Sequence, residues 1–158
     1  MKFVGIDPAM RLNGLAVCVI DDKKVYFGRY KNLAAWIMDS LTWERDCAIV
    51  VEDSSLQNIT FRKQANVKAS NKISRNVGMN QGASRIAYEW IKENGYEGYN
   101  ISPEQKGKKW KKEIFLKIFQ SEGYKFEPNF KPAKISQDEI DCFTLALQAK
   151  NYQKHEKK

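Results

Sequence analysis

The spacing of apolar and polar positions divides the chain into strands first and helices later. Phe3-Val4-Gly5-Ile6 is apolar on both faces, which predicts a central, covered strand over residues 2–7. Asp7 ends it, and Pro8 blocks regular continuation. A turn at Arg11, Asn13 and Gly14 leads to a second strand, Leu15 to Ile20. Asp21-Asp22-Lys23-Lys24 turns the chain again into a third strand, Val25 to Tyr30. This spacing predicts an antiparallel meander. Asn32 is placed to cap a short helix whose Leu33, Trp36, Ile37 and Leu41 share a face. Cys47 to Val51 then reads as a fourth strand, ending in Glu52-Asp53.

Helical spacing dominates the second half. Residues 54–70 are polar and basic and read as a loop; a long helix follows from Lys72 to Asn94, stopped by Gly95. Tyr96 to Ile101 reads as a fifth strand. Ser102-Pro103-Glu104-Gln105 has the form of a helix start, with Ser at the cap and Pro in the first turn. Trp110, Ile114, Phe115, Ile118 and Phe119 follow helical spacing after it. Residues 122–135 read as a loop, and Ser136 to Lys150 as the last helix, with Ser136 and Glu139 spaced as a capping box. Residues 151–158 read as a disordered basic tail. The pattern predicts one α/β domain over residues 1–150, a mixed five-stranded sheet flanked by helices on both faces.

Composition adds a partner class and removes others. Among 158 residues, 27 Lys and Arg stand against 19 Asp and Glu, a net charge of +8 that favours a polyanionic partner, with solubility as the alternative reading. No apolar run approaches the roughly 20 residues of a membrane helix. The N-terminal apolar run is short and broken by Asp7, unlike a signal peptide, so a cytoplasmic protein is expected. Cys18, Cys47 and Cys142 are far apart in apolar surroundings, and His155 is the sole histidine, which argues against zinc.

The carboxylates carry the candidate chemistry. Asp7 and Glu52 each end an apolar strand, and neighbouring strands would bring them to one sheet edge. Strand parity puts Asp7 on the face of Phe3 and Gly5, and Glu52 on that of Ala48 and Val50. Either acid alone could be merely the first solvated residue after a strand. Asp138 and Asp141 lie three apart and share a helix side. Asp138 could simply suit the first helical turn. Asp141 lies among Ile140, Cys142, Phe143 and Leu145, where a carboxylate is costly unless it meets a cation. Four acids together would repel unless protonated or bound to divalent metal, and oxygen ligands suit Mg²⁺ or Mn²⁺.

These residues resemble a known family. Gly5-Ile6-Asp7-Pro8 with Asn13-Gly14 is similar to the first-strand motif of RuvC-like Holliday junction resolvases, in the RNase H-like superfamily. Ile49-Val50-Val51-Glu52 resembles the family's fourth strand, Gly78 and Gly82 its paired helix glycines, and Asp138-Glu139-Ile140-Asp141-Cys142 its closing motif with Cys in place of Ala. The resemblance implies that Asp7, Glu52, Asp138 and Asp141 bind two Mg²⁺ ions, with Mn²⁺ as a substitute. It implies a homodimer that nicks two strands of a four-way DNA junction, with Gly78 and Gly82 at the dimer interface. A tight helix–sheet contact within one subunit is the alternative for those glycines. The stretch between Glu52 and Gly78 is longer than in the bacterial cellular enzymes and lacks their early aromatic residue; Phe61 is the first. The short, lysine-rich form looks more like the resolvases of bacteriophages, which would act in a bacterial host cell.

Two basic stretches are candidate DNA contacts: Arg62, Lys63, Lys68, Lys72 and Arg75, and then Lys106, Lys108, Lys109, Lys111 and Lys112 around Trp110. Solvated charged faces are the alternative. Lys106 or Lys108 could sit beside the scissile phosphate, whereas Trp110 is expected to pack in the core beside Ile114. Two rival functions remain open at this level: another RNase H-like nuclease acting on RNA–DNA hybrids or RNA, and a non-catalytic branched-DNA-binding protein.

Overall fold

The computed structural model describes residues 1–8, 14–56 and 67–156, and side chains within 1–8, 14–56 and 71–153. Its strands are β1 (Lys2–Asp7), β2 (Leu15–Asp21), β3 (Lys24–Tyr30), β4 (Cys47–Glu52), β5 (Glu97–Ile101) and β6 (Lys125–Phe126). They form one sheet in the order β5-β4-β1-β2-β3-β6. β1, β2 and β3 make the expected antiparallel meander, whereas β4 pairs parallel to β1, β5 to β4 and β6 to β3. Among the described residues the sheet therefore has six strands rather than five. β6 is two residues long, inside the stretch expected to be a loop; it is too short to show a period in sequence.

Helices cover both faces. α1 (Leu33–Ser40) and α2 (Val67–Glu93) lie on the face of Val4, Ile6, Val17, Ile49 and Val51, where Trp36, Ala87 and Ile91 complete the core. α3 (Lys112–Ser121) and α4 (Gln137–Glu156) cover the face of Cys18, Ile20, Val25, Ala48 and Val50. Asn32 caps α1 as expected, its side chain accepting from the Ala35 amide at 2.9 Å. Leu41 falls beyond that helix and is exposed. Gly95, at φ +73°, ends α2: its amide bonds to the Lys92 carbonyl and that of Tyr96 to the Ile91 carbonyl.

Three boundaries differ from expectation. α2 begins at Val67, five residues before Lys72, because its first turn, Val67-Lys68-Ala69-Ser70, has no helical apolar period to betray it. The helix start expected at Ser102 is only a turn, in which the Ser102 amide donates to Gln105 and the Gln105 amide to the Ser102 hydroxyl. Gly107, at φ +85°, then takes the chain out of helical geometry, and α3 begins at Lys112. α4 continues to Glu156, over residues expected to be a tail, and Gln153 is buried. Trp110 packs against the core as expected, but on Phe143 at 6.5 Å between ring centres; Ile114 is exposed.

The position of α4 depends on Gly5. A methyl group there would meet the Cys142 carbonyl and lie 2.5 Å from the Ala146 nitrogen and 2.7 Å from the Leu145 Cβ. Only a residue without a side chain lets the α4 backbone rest directly on β1. The contact also decides how Asp141, next to Cys142, and Asp138, one turn earlier, sit relative to Asp7. Gly5→Ala is expected to destabilise the fold by about 3 kcal/mol in urea denaturation, as overpacking does. A loss below about 1 kcal/mol would mean that α4 does not rest on this position.

Candidate active site

The register of the sheet assembles the site. Asp7 is the last residue of β1 and Glu52 the last of β4. The parallel pairing sets Ile6 against Val51, so the two acids leave adjacent strands side by side. Asp7 pairs across to Ala16 on β2, and Ala16 to Arg29 on β3. Partners directly across strands share a face, so Glu52, Asp7, Ala16 and Arg29 form one row on the side covered by α4. Ala16, buried and small, leaves the row open between Asp7 and Arg29.

α4 delivers the remaining acids. Ser136 and Glu139 form the expected capping box: the Ser136 amide donates to Glu139 at 2.7 Å, and the Glu139 amide to the Ser136 hydroxyl at 3.3 Å. The cap fixes the first turn, from which Asp138 and Asp141 project. Asp141 is buried, with one oxygen accepting from Gln137 Nε2 at 2.7 Å and the other from Lys106 Nζ at 3.0 Å. Asp138 is more exposed and pairs with Arg29 Nη1 at 3.2 Å, while Arg29 Nη2 donates to the Ser136 hydroxyl at 3.0 Å. Asp138 is therefore turned toward Arg29, at the edge of the group rather than its centre.

Lys106 stands at the centre. Its ammonium donates to both Glu52 and Asp141, and its side chain is only 6% exposed. Burial works against the charged ammonium, but the hydrogen bonds and charges of Glu52 and Asp141 outweigh it and raise its pKa. Lys109, largely exposed, reaches the same Asp141 oxygen at 3.5 Å. Asp7 feels the whole group. Its pKa rises from 3.8 to about 7, through burial first and then the Glu52 charge. Lys106 opposes that shift, and the Asp138 and Asp141 charges add to it.

The set of donors is chemically suited to a hard divalent cation: carboxylate oxygens from three elements, a part-buried acid that resists ionisation, and a centre already held by one positive charge. Among the described residues, no three acid, histidine or cysteine side chains converge on one point as ligands of an ion do. Glu52 and Asp141 close around the Lys106 ammonium instead.

The other candidate residues are dispersed. Lys72 and Arg75 are exposed on α2, which also contains Lys68; Arg62 and Lys63 lie outside the described residues. Lys108 is exposed beside the site loop, whereas Lys112 donates to the Ala133 carbonyl at 2.6 Å. Gly78 and Gly82 are exposed on α2, and a Cβ built at either would meet nothing within 4 Å. Among the described residues, neither glycine therefore makes a tight contact within one subunit. Both line a groove of about 310 Å³ with Leu33, Met79, Ala83 and Ile86.

Sequence reasoning missed Arg29 and Gln137. Arg29 carries no local signal, because its partner Asp138 is 109 residues away. Gln137 had one: it lies four residues before Asp141 in a helix, the spacing at which side chains meet. Asp53, also buried, accepts from the Ser55 amide at 2.9 Å and from Asn100 at 3.0 Å, and so ties the end of β4 to β5.

No family model matches the sequence, and neither does any curated protein. Among solved structures, T. thermophilus RuvC in complex with a Holliday junction substrate is similar over 98% of this chain and 96% of that chain, with a TM-score of 0.57 and 20% sequence identity. No helix among the described residues is long and apolar enough to cross a membrane. The chain has the mixed α/β sheet and flanking helices of the RuvC, RNase H-like fold.

Proposed function

We propose that the protein is a Mg²⁺-dependent, structure-selective DNA endonuclease that resolves four-way junctions by paired nicks. The observation that carries this reading is the Lys106 ammonium held between Glu52 and Asp141, with Asp7 on the strand beside Glu52, in a RuvC-like fold. The similar T. thermophilus protein is described in complex with a Holliday junction substrate, which favours branched DNA over an RNA–DNA hybrid. The net charge of +8 suits a phosphate backbone. The phage-type assignment rests on size and lysine content alone.

In this reading Asp7, Glu52 and Asp141 hold the metal, with Asp138 completing the set from the edge of the site. Bound Mg²⁺, or Mn²⁺ in its place, would activate water and stabilise the leaving oxygen of the phosphodiester. The chain's own residues do the positioning. Gln137 orients Asp141, the capping box holds the first turn of α4, and Arg29 keeps Asp138 beside the carboxylate row. Lys109 and Lys108, exposed beside the pocket, offer positive charge to the DNA backbone, as do Lys72 and Arg75 from α2.

A second copy is proposed to cover the open face of α2. Gly78 and Gly82 present backbone there, flanked by the exposed apolar side chains of Met79 and Ile86. Two sites in a symmetric dimer would account for paired nicks.

Purified protein offered a synthetic four-way junction and an RNA–DNA hybrid side by side should cut the junction symmetrically, only with Mg²⁺ or Mn²⁺. Cutting of the hybrid alone would point to another RNase H-like nuclease, and junction binding without cutting to a passive DNA-binding protein. Asp7→Asn, Glu52→Gln and Asp141→Asn should each fall below about one-hundredth of the wild-type rate while still binding the junction. Even a metal ligand's outer partner typically contributes about 10- to 100-fold.

The raised pKa of Asp7 makes a separate prediction about stability. The folded state binds this proton more tightly than the unfolded chain, so the contribution is full below about pH 4 and is lost as pH rises through about 7. In EDTA, Asp7→Asn should therefore be the more stable protein at pH 8, by roughly 4 kcal/mol, with the difference vanishing toward pH 4. Equal stability across that range would contradict both the burial and the carboxylate repulsion that raise the Asp7 pKa.

Sedimentation should show twice the 18.3 kDa chain mass for the wild type and a single chain for Ile86→Asp. A wild-type monomer would remove the dimer from the proposal.

A further inference from the structure

We infer that Lys106 is a built-in counter-ion that occupies the metal pocket in the metal-free protein and must leave before a divalent ion enters. The inference rests on the proposed metal site and concerns what controls its filling.

Its ammonium bonds to Glu52 from β4 and to Asp141 from α4, with the side chain almost wholly buried. It thus claims an oxygen of each of two acids on separate elements. A divalent ion needs those same oxygens, and at such distances it repels an ammonium strongly. Lys106 and a metal ion therefore exclude one another.

The loop that carries Lys106 has the features of a movable strap. Residues 103–106 form turns rather than a regular element, and Gly107 follows at φ +85° with open space around it. One helix side chain fastens its backbone: Gln148 Nε2 reaches the Gln105 and Lys106 carbonyls at 3.5 and 3.3 Å, both long bonds. Lys108 and Lys109, exposed on the same strap, keep positive charge near the mouth. The device neutralises the acids while no metal is bound, which keeps the sheet end folded. It also weakens metal affinity, since binding must first open the competent state.

The test is Mn²⁺ binding without DNA, followed by isothermal calorimetry on wild type and Lys106→Met, together with amide hydrogen exchange of the wild type with and without Mn²⁺. Lys106→Met should bind Mn²⁺ about 10-fold more tightly than wild type, as expected when an internal competitor is removed. Mn²⁺ should speed amide exchange across residues 103–109 of the wild type as the strap is released. Equal or weaker binding by the variant, with Mn²⁺ binding intact in the wild type, would overturn the counter-ion role and leave the metal site standing. Failure of the wild type to bind Mn²⁺ would overturn both. Should Lys106→Met not fold, the exchange measurement decides alone: unchanged or slower exchange in the strap contradicts the inference.

Discussion

The contact between the α4 backbone and Gly5 of β1 is the constraint on which the site depends. Asp7 lies two residues beyond Gly5 on the same strand face, and Asp141 is the residue before Cys142, whose carbonyl fills the space above Gly5. Helix and strand thus meet at van der Waals distance one step from their acids. A larger residue at Gly5 would lift α4 and separate the carboxylates that the register of β1 and β4 brings side by side. The buried small residues along the contact, Ala16, Cys142, Ala146 and Ala149, serve the same close approach.

Bringing acids together at the edge of a core creates an electrostatic problem, answered in two ways. Lys106 neutralises Glu52 and Asp141 from within, and Arg29 neutralises Asp138 from the neighbouring strand. Among the described residues Asp7 has no ion pair of this kind, and its pKa rises to about 7 through burial and the charge of Glu52. Buried charges persist only when paired, so the pattern is what the fold must supply. It leaves Asp7 with a raised pKa and holds Glu52 and Asp141 through Lys106.

The acids were legible because each sits at a boundary that sequence marks well. Asp7 and Glu52 end apolar runs, and Asp141 interrupts a helix otherwise fit for burial. The meander and both helix caps were legible for the same reason: they are local. Lys106 stood among five lysines of equal local character, and only the placement of the strap against β4 and α4 separates it from Lys108 or Lys112. Arg29 was invisible, being one charged residue on a half-exposed strand whose partner comes from the other end of the chain. The turn at Ser102 shows the limit of local signals. Its cap chemistry is real, with the bonds of a helix start, but no apolar face follows to reward a helix there.

The fold likeness to T. thermophilus RuvC is full-length but rests on 20% identity, so the chemistry must stand on the site itself. The most direct measurement is the anomalous scattering of Mn²⁺ in crystals soaked with it. The account predicts a peak within coordination distance of Asp7, Glu52 and Asp141, with the Lys106 ammonium displaced from between them. Mn²⁺ bound only elsewhere, with Lys106 still seated between Glu52 and Asp141, would contradict it.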